Sequence, residues 1–500
     1  MGEPERQMTL REAARKFLLR LLIWTEKNSK PVLRDNLQFW QRQIHIHPVI
    51  IIGVNALLIF SALVIEIGPA PSRLFGLLLF VLLSFTLFIV FLKRNLQDLA
   101  RDNDAMMLLG ILTSLSVLLI ETIKPFGSLS PLLVPIAGVI LLASLLLGNK
   151  AGMLLAIAIP FMCGILYDFK LEYLFYHIMG SLLALNLSTK IKHRQDITRV
   201  GTKIMAINVI SVITLTLLGP LPAGQLVTNI LWACANGIAS IIFVFGLLSP
   251  LETFFSRITN IKLIELADFN QPLLKRLMME APGTYHHSLM VASVAEQAAE
   301  VIGANALLAR VGAIYHDIGK IAKPEYFIEN QLASDNPHDA IPPSMSGLVV
   351  ITHVKEGVTY AEQQNLDKPI VDLIKEHHGT SLIYMFYQKA LQGGDDAEES
   401  RFRYPGPKPK TKESAILMLA DSCEAALRLL ETPSSNRIKE TVEKIINNKF
   451  TDGQLDEAPI TLSDLHMIAG SMITTLTSIH HTRTEYERSK QKDNNTDPQS

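Results

Sequence analysis

The stretch GTYHHSLMVASVAEQAAEVIGANALLARVGAIYHDIGK, Gly283 to Lys320, decides how the rest of the chain is read. His287, Val291, Val294, Ala298 and Val301 fall on one helical face, so the histidine continues an apolar stripe instead of pointing at water. Pro282 and Gly283 interrupt the chain just before it, which sets an expected helix start near His286. Successive helical residues lie about 100° apart, so His286 and His287 cannot both follow the stripe, and the phase selects His287. A second helix carries Leu307, Leu308, Val311 and Ile314 and ends at Asp317-Ile318-Gly319, with Gly319 the expected stop. An adjacent histidine and aspartate at an inward-facing helix end, His316 and Asp317, can hold a divalent metal and share it with a neighbour.

Three downstream signals add to this pair. His353 follows Val349 by one turn, and Ile370, Leu373, Ile374 and His377 form a stripe with His378 directly after it. Asp421 lies one turn after Leu417 in the apolar helix AILMLADSCEAAL. Five helices thus offer His287, His316, Asp317, His353, His377, His378 and Asp421. These are enough nitrogen and oxygen donors for two metals, with one carboxylate as a bridge.

The order H…HD…H…HH…D resembles that of HD-domain phosphohydrolases with two-metal sites, and the flanking residues are closer still. APGTYHHSLMVA, HDIGK, NPHD, ITHVKEG, EHHGT, RYPGPKP and LADSCEAA are similar to the seven-transmembrane HD proteins, the PgpH-like group of membrane-bound bacterial cyclic di-AMP phosphodiesterases. The likeness is strong over about residues 250–485 and architectural over the membrane half. It implies hydrolysis of cyclic di-AMP to the linear dinucleotide pApA. It also implies one leading membrane helix, a large extracytoplasmic domain and seven further helices. Here only about five residues, Gly68 to Ser72, join the first two segments, so no sensing role of that domain carries over.

Composition excludes an ordinary soluble enzyme. Hydrophobic residues make up 49% of the chain, charged residues 19%, and mean hydropathy is +0.27. The net charge of -1 gives no reason to expect a nucleic acid polymer as partner. Cys163, Cys234 and Cys423 show no pairing pattern, which points to a reducing compartment for the catalytic half. Residues 1–46 are polar and charged, without the features of a removable signal peptide. Within them, Arg11 to Trp24 reads equally as a surface-lying membrane helix or as a helix packed on the soluble domain.

Eight apolar segments follow, at about 48–67, 73–92, 105–122, 130–148, 151–167, 172–188, 204–219 and 225–249. An even count puts both ends on one side. Lys93, Arg94, Arg101, Lys150, Lys190, Lys192, Arg194, Arg199 and Lys203 fall on that side, against Arg73, Lys124 and Lys170 on the other. The bias makes the N- and C-termini cytoplasmic, and the resemblance implies a multi-pass protein of the bacterial inner membrane. Glu66 and His177 are isolated and near segment ends, which gives a transport path little support.

The expected fold class is all-α. The expected parts are a cytoplasmic segment (1–46), a polytopic helical membrane domain (47–249) and a helical connector (250–282), then a cytoplasmic HD phosphohydrolase domain (283–486) and a disordered tail (487–500). The connector either transmits movement or is a rigid tether. Residues 329–346 read as a loop, and the second His-Asp dipeptide within it, His338-Asp339, reads as structural.

The expected cofactors are two divalent ions, Mn or Fe above Zn or Ni. His287, His316 and Asp421 are assigned to one ion, His353, His377 and His378 to the other, with Asp317 bridging. Lys320, one turn beyond Asp317, is placed to grip a phosphate and is grouped with Asp317 as catalytic. Arg403 and Lys408 lie in a basic, proline-rich stretch that is either solvated loop or a further phosphate contact. The expected partners are cyclic di-AMP and the lipid bilayer, with a homo-oligomer left open. Two rivals stand beside this reading: an HD enzyme acting on nucleoside triphosphates or alarmones, and a non-catalytic nucleotide receptor.

Overall fold

The computed structural model describes residues 48–67, 71–123, 129–167, 170–331, 336–393, 398–430 and 433–494. The Arg11–Trp24 segment and Lys124 lie outside these residues. Every regular element among the described residues is helical, and the single β-bridge, Leu382 to Arg403, is isolated. The chain is all-α, as its periodicities require. By contact it divides into one unit of residues up to Thr189 with Val200–Phe255, and a second of Lys190–Arg199 with the residues from Ser256 onward.

In the first unit the apolar runs become the helices Pro48–Ile67, Pro71–Asn95, Asn103–Ile123, Ile136–Leu147, Asn149–Leu166, Leu171–Ser188, Arg194–Leu217 and Leu226–Phe254. Five helices among the described residues are long and apolar enough to cross a membrane. The protein is a multi-pass membrane protein.

The segment expected as one helix over 130–148 is broken. Residues Pro131–Leu133 form a 3-10 turn, and the α-helix starts only at Ile136, after Pro135, which has no N–H to continue the ladder. Backbone carbonyls freed in an apolar environment need donors, and side chains supply them. Asn236 Nδ2 donates to Leu132 O at 2.9 Å and to Val134 O at 2.6 Å, while Tyr176 Oη donates to Leu132 O at 3.1 Å. Asn208 Nδ2 in turn donates to Asn236 Oδ1 at 3.0 Å. His177 is buried and lies 3.2 Å from Pro131 O, so it belongs to this packing rather than to a segment end.

The second unit is organised around the Pro282–Val301 and Lys412–Arg428 helices. The first of these begins at Pro282, four residues before the expected start, because proline at the first turn needs no N–H partner and its φ is already helical. His287, Val291, Val294 and Ala298 are buried on its inner face, whereas Val301 is 48% exposed, beyond the stripe's useful end. His286 is exposed.

The connector is also revised. The last membrane helix runs through Pro250 to Phe254, and the helices Asn260–Leu266 and Pro272–Glu280 follow. They bury Leu263, Leu266, Leu273, Leu274 and Leu277 in the core of the second unit, so the stretch is part of that fold. The Lys190–Arg199 segment, which includes the start of the Arg194–Leu217 helix, belongs to this unit and is held by Arg194, whose Nε and Nη2 reach the Glu265 carboxylate at 2.7 and 3.2 Å.

Two further boundaries differ from expectation. The loop expected over 329–346 already turns helical at Pro343. The tail expected to lose order at 487 continues as helix to Asn494, since RTEYERSKQK is rich in good helix formers and extends a helix already anchored upstream. Residues 495–500 lie outside the described residues.

Gly319 does not act as a helix stop. It lies in the 3-10 turn Ile318–Ala322, where a Cβ would collide with His353 O and the Gly357 N–H. Only glycine lets the turn after Asp317 lie against the Pro343–Gln363 helix that carries His353. Gly319→Ala should therefore destabilise the second unit by about 1–3 kcal/mol or more. Denaturant unfolding followed by circular dichroism checks this, and an unchanged midpoint would mean the helix can yield.

Candidate metal centre

The ligand-type side chains arrive from helix ends and inner faces. His316 caps the Ala306–Tyr315 helix, Asp317 opens the 3-10 turn after it, and His377 caps the Lys368–Glu376 helix. Carbonyls in the last helical turn lack amide partners, so a histidine at the C-terminus can use one. His316 Nδ1 lies 2.7 Å from Ala313 O and His377 Nδ1 lies 2.7 Å from Ile374 O. His353, within its helix, sets Nδ1 2.5 Å from Val350 O. These bonds turn Nε2 of all three rings toward a common point.

At that point the seven residues form two groups that share Asp317. One is His287, His316, Asp317 and Asp421; the other is Asp317, His353, His377 and His378, with ligand atoms in each group within 4.8 Å of one another. The Asp317 oxygens face different groups. Its Oδ2 lies 3.1 Å from His316 Nε2 and 3.5 Å from His287 Nε2, and its Oδ1 lies 3.3 Å from His353 Nε2 and 3.8 Å from His377 Nε2. Asp421 Oδ1 lies 3.0 Å from His287 Nε2, and its Oδ2 lies 3.7 Å from His378 Nδ1. His378 thus faces inward through Nδ1, with its ring stacked on Tyr404 at 4.2 Å between centroids.

These groups suit a divalent cation. His316 Nε2 and Asp317 Oδ1 are buried without any hydrogen-bond partner. A buried orphan donor or acceptor is costly, and a metal would satisfy both atoms. A mixed imidazole and carboxylate donor set is one that transition metals accept.

Charge is unevenly divided between the groups. Burial opposes a proton on His316, but Asp317 and Asp421 outweigh it and raise the imidazole to about 10. His287 is raised by the same contest, burial against Asp421 and Glu424. His377 is instead lowered to about 3 by burial and by the charge on His316, and His378 is lowered strongly by burial and by His377. Burial would raise Asp317, but His316 and Lys320 hold it well below the carboxylate range.

The three basic residues expected to meet phosphate already have carboxylate partners. Lys320 Nζ lies 2.7 Å from Asp317 Oδ2 and 2.7 Å from Glu329 Oε1. Arg403 contacts Glu399 and Asp452 and donates to Thr380 O at 2.9 Å, which braces the turn after His378. Lys408 lies 3.6 Å from Asp456. His338 sits 2.8 Å from Tyr326 O and packs on Phe386, apart from both ligand groups.

Sequence reasoning passed over Glu424, Glu329 and Lys449. Glu424 lies three residues after Asp421 on the same helix, so helical spacing was the available signal. Glu329 lies in a short 3-10 turn, and Lys449, lowered by burial, donates to Ser381 Oγ at 2.7 Å. Neither carried a local signal, because their proximity is made by tertiary packing.

Residues 71–259 match a family described as a 7TM receptor with intracellular HD hydrolase, and residues 284–426 match the HD domain. The cyclic-di-AMP phosphodiesterase PgpH of Bacillus subtilis (strain 168) is 37% identical over 429 residues, which is 83% of this chain and 60% of that protein. PgpH of Listeria monocytogenes serotype 1/2a (strain 10403S) is 35% identical over 423 residues, 83% of this chain and 59% of that protein. The chain therefore spans about 60% of the length of these relatives. The solved L. monocytogenes PgpH HD domain in complex with cyclic-di-AMP is 47% identical, covers 43% of this chain and 100% of its own, and has a TM-score of 0.42.

The charge asymmetry generates a prediction. A cation entering the His287 and His316 group must displace protons, so its affinity there should climb as pH rises toward the His316 value of about 10. At the other group His377, lowered to about 3, and His378, lowered strongly, are neutral at ordinary pH, so a cation displaces no proton from these two rings and its affinity should climb less steeply with pH. Chelator competition at several pH values, with calorimetry in buffers of different ionisation enthalpy, checks both the slope and the proton release.

Proposed function

Because the chain belongs to the family in which a seven-transmembrane receptor segment is joined to an intracellular HD hydrolase, we propose that its second unit hydrolyses cyclic di-AMP to pApA on a dinuclear metal centre. The observation that carries this reading is Asp317, whose two oxygens face two separate groups of imidazole ligands. One such group would suffice for a single ion. The PgpH relatives, which are cyclic-di-AMP phosphodiesterases, support the substrate.

In this reading His287, His316 and Asp421 would hold one ion and His353, His377 and His378 the other, with Asp317 common to both groups. When bound, two divalent ions, Mn or Fe, would activate a water near neutral pH and neutralise charge on the phosphoryl oxygens. Asp317 keeps the two groups in register, and Lys320 holds Asp317 Oδ2 from the protein side. His316, His353 and His377 stay oriented without cost to the ligands, because backbone carbonyls fix their outer nitrogens. In the overall reaction the oxygen of water joins one phosphorus and the bond to a ribose 3′ oxygen breaks. That oxygen takes the proton, and the ring opens to pApA. Arg403 and Lys408 are better supported as loop braces than as phosphate contacts, given their carboxylate partners.

We further propose that both termini are cytoplasmic in the bacterial inner membrane, on the strength of the lysine and arginine bias. Reporter fusions near Arg194 and at the C-terminus should both report the cytoplasm, and an external C-terminus would remove access to the substrate.

Full-length protein loaded with Mn or Fe and offered cyclic dinucleotides, alarmones and nucleoside triphosphates tests the reaction. Cyclic di-AMP should give pApA by chromatography, and turnover of another nucleotide in its place would overturn the assignment. Asp317→Ala should abolish turnover and bring bound metal well below two per chain, whereas His353→Ala should leave one metal largely in place. Equal metal content in wild type and Asp317→Ala would rule out the bridging role.

A further inference from the structure

The histidines that face the ligand groups through Nε2 are fixed in two different ways. For His316, His353 and His377 the outer nitrogen meets a carbonyl of the same helix three residues earlier, at 2.7, 2.5 and 2.7 Å. No side-chain substitution elsewhere removes those acceptors. His287 has no such carbonyl bond and depends on a side chain. Its Nδ1 lies 2.5 Å from Glu424 Oε2, while Nε2 on the opposite edge of the ring lies 3.0 Å from Asp421 Oδ1.

Glu424 settles which atom must carry a proton: its ionised carboxylate only accepts, so the Nδ1 facing it is protonated. Arg428 Nη2 lies 3.1 Å from Glu424 Oε2 and 3.3 Å from His287 Nδ1. A guanidinium only donates, so its hydrogen bond goes to the carboxylate and not to the protonated Nδ1. With Nδ1 occupied, Nε2 is the nitrogen that a cation would take. Arg428 also lies 3.7 Å from Glu329 Oε2, and Glu329 reaches Lys320 and through it Asp317. A chain of alternating charges therefore runs from His287 to the shared carboxylate.

We propose that Glu424, braced by Arg428, is the positioning residue that fixes the His287 tautomer and sets the affinity of the first ligand group for its divalent cation. Glu424 is not itself a ligand, because it sits on the edge of the imidazole away from the cluster. A helical pair such as Glu424 and Arg428 is ordinarily worth little at the surface. Here the Glu424 side chain is only 13% exposed, and its oxygen is spent on a buried imidazole. A carboxylate behind a metal-bound histidine typically changes metal affinity by about 10–100-fold.

This inference rests on the two groups holding metal, and its test is read without substrate. Full-length wild type, Glu424→Gln and Glu424→Ala are titrated with a chelator while bound Mn is measured, and the metal-free proteins are melted in parallel. Glu424→Ala should lose one Mn at about 10–100-fold lower chelator strength, Glu424→Gln less, with the second Mn and the metal-free melting temperature unchanged. Titration curves that superimpose on wild type would overturn the proposal. So would a loss of metal matched by a lower metal-free melting temperature, which marks a merely structural residue. A wild type that never binds more than one Mn would defeat the dinuclear reading, and the variants would still be compared at the site that remains. Inactivity toward cyclic di-AMP would leave the titrations as they are.

Discussion

The second unit depends on a carboxylate buried among imidazoles. Asp317 is 1% exposed, and taking such a charge out of water is costly unless every oxygen is answered. Lys320, His316 and His287 answer one oxygen, and His353 and His377 answer the other, although one oxygen and one nitrogen remain without hydrogen bonds. Four stretches of chain must converge for this to hold. The fold is therefore conditional on the site as much as the site on the fold.

Convergence is made possible by where helices end. His316 and His377 cap their helices, so the outer nitrogen of each ring takes a carbonyl that the helix leaves open. The same bonds satisfy the helix and aim the ligand. His353 makes the same kind of bond from within its helix, to Val350 O, and is brought to the site by a second device. The glycine at 319 lets backbone approach backbone, so the turn carrying Asp317 lies directly on the helix that carries His353.

Much of this was legible in the sequence, for physical reasons. His287 showed because it continues a stripe of small apolar residues, and His316-Asp317 because the dipeptide ends another stripe. What stayed hidden was the pairing of charges. Arg403 and Lys408 read as free cations because a sequence displays charge without its counter-ion; Asp452 and Asp456 are about fifty residues away. Glu424 was hidden within an apolar helix, where an acid reads as an incidental surface residue. The break at Pro135 was hidden too, since hydropathy averages over a proline that the backbone cannot. At the C-terminus a composition without apolar residues signals disorder, yet helix propensity continues an anchored helix to Asn494.

The polar knot around that break has a mechanical consequence. Asn236, Asn208, Tyr176 and His177 come from three different membrane helices, and all converge directly or through one another on carbonyls of a fourth stretch. Sliding any one of these helices past the others would strip hydrogen bonds, each worth on the order of 1 kcal/mol in hydrocarbon, with no water to replace them. The knot acts as a rivet. Strain applied to one of these four segments is shared by all of them, so this part of the first unit should tilt or shift as a block instead of deforming helix by helix.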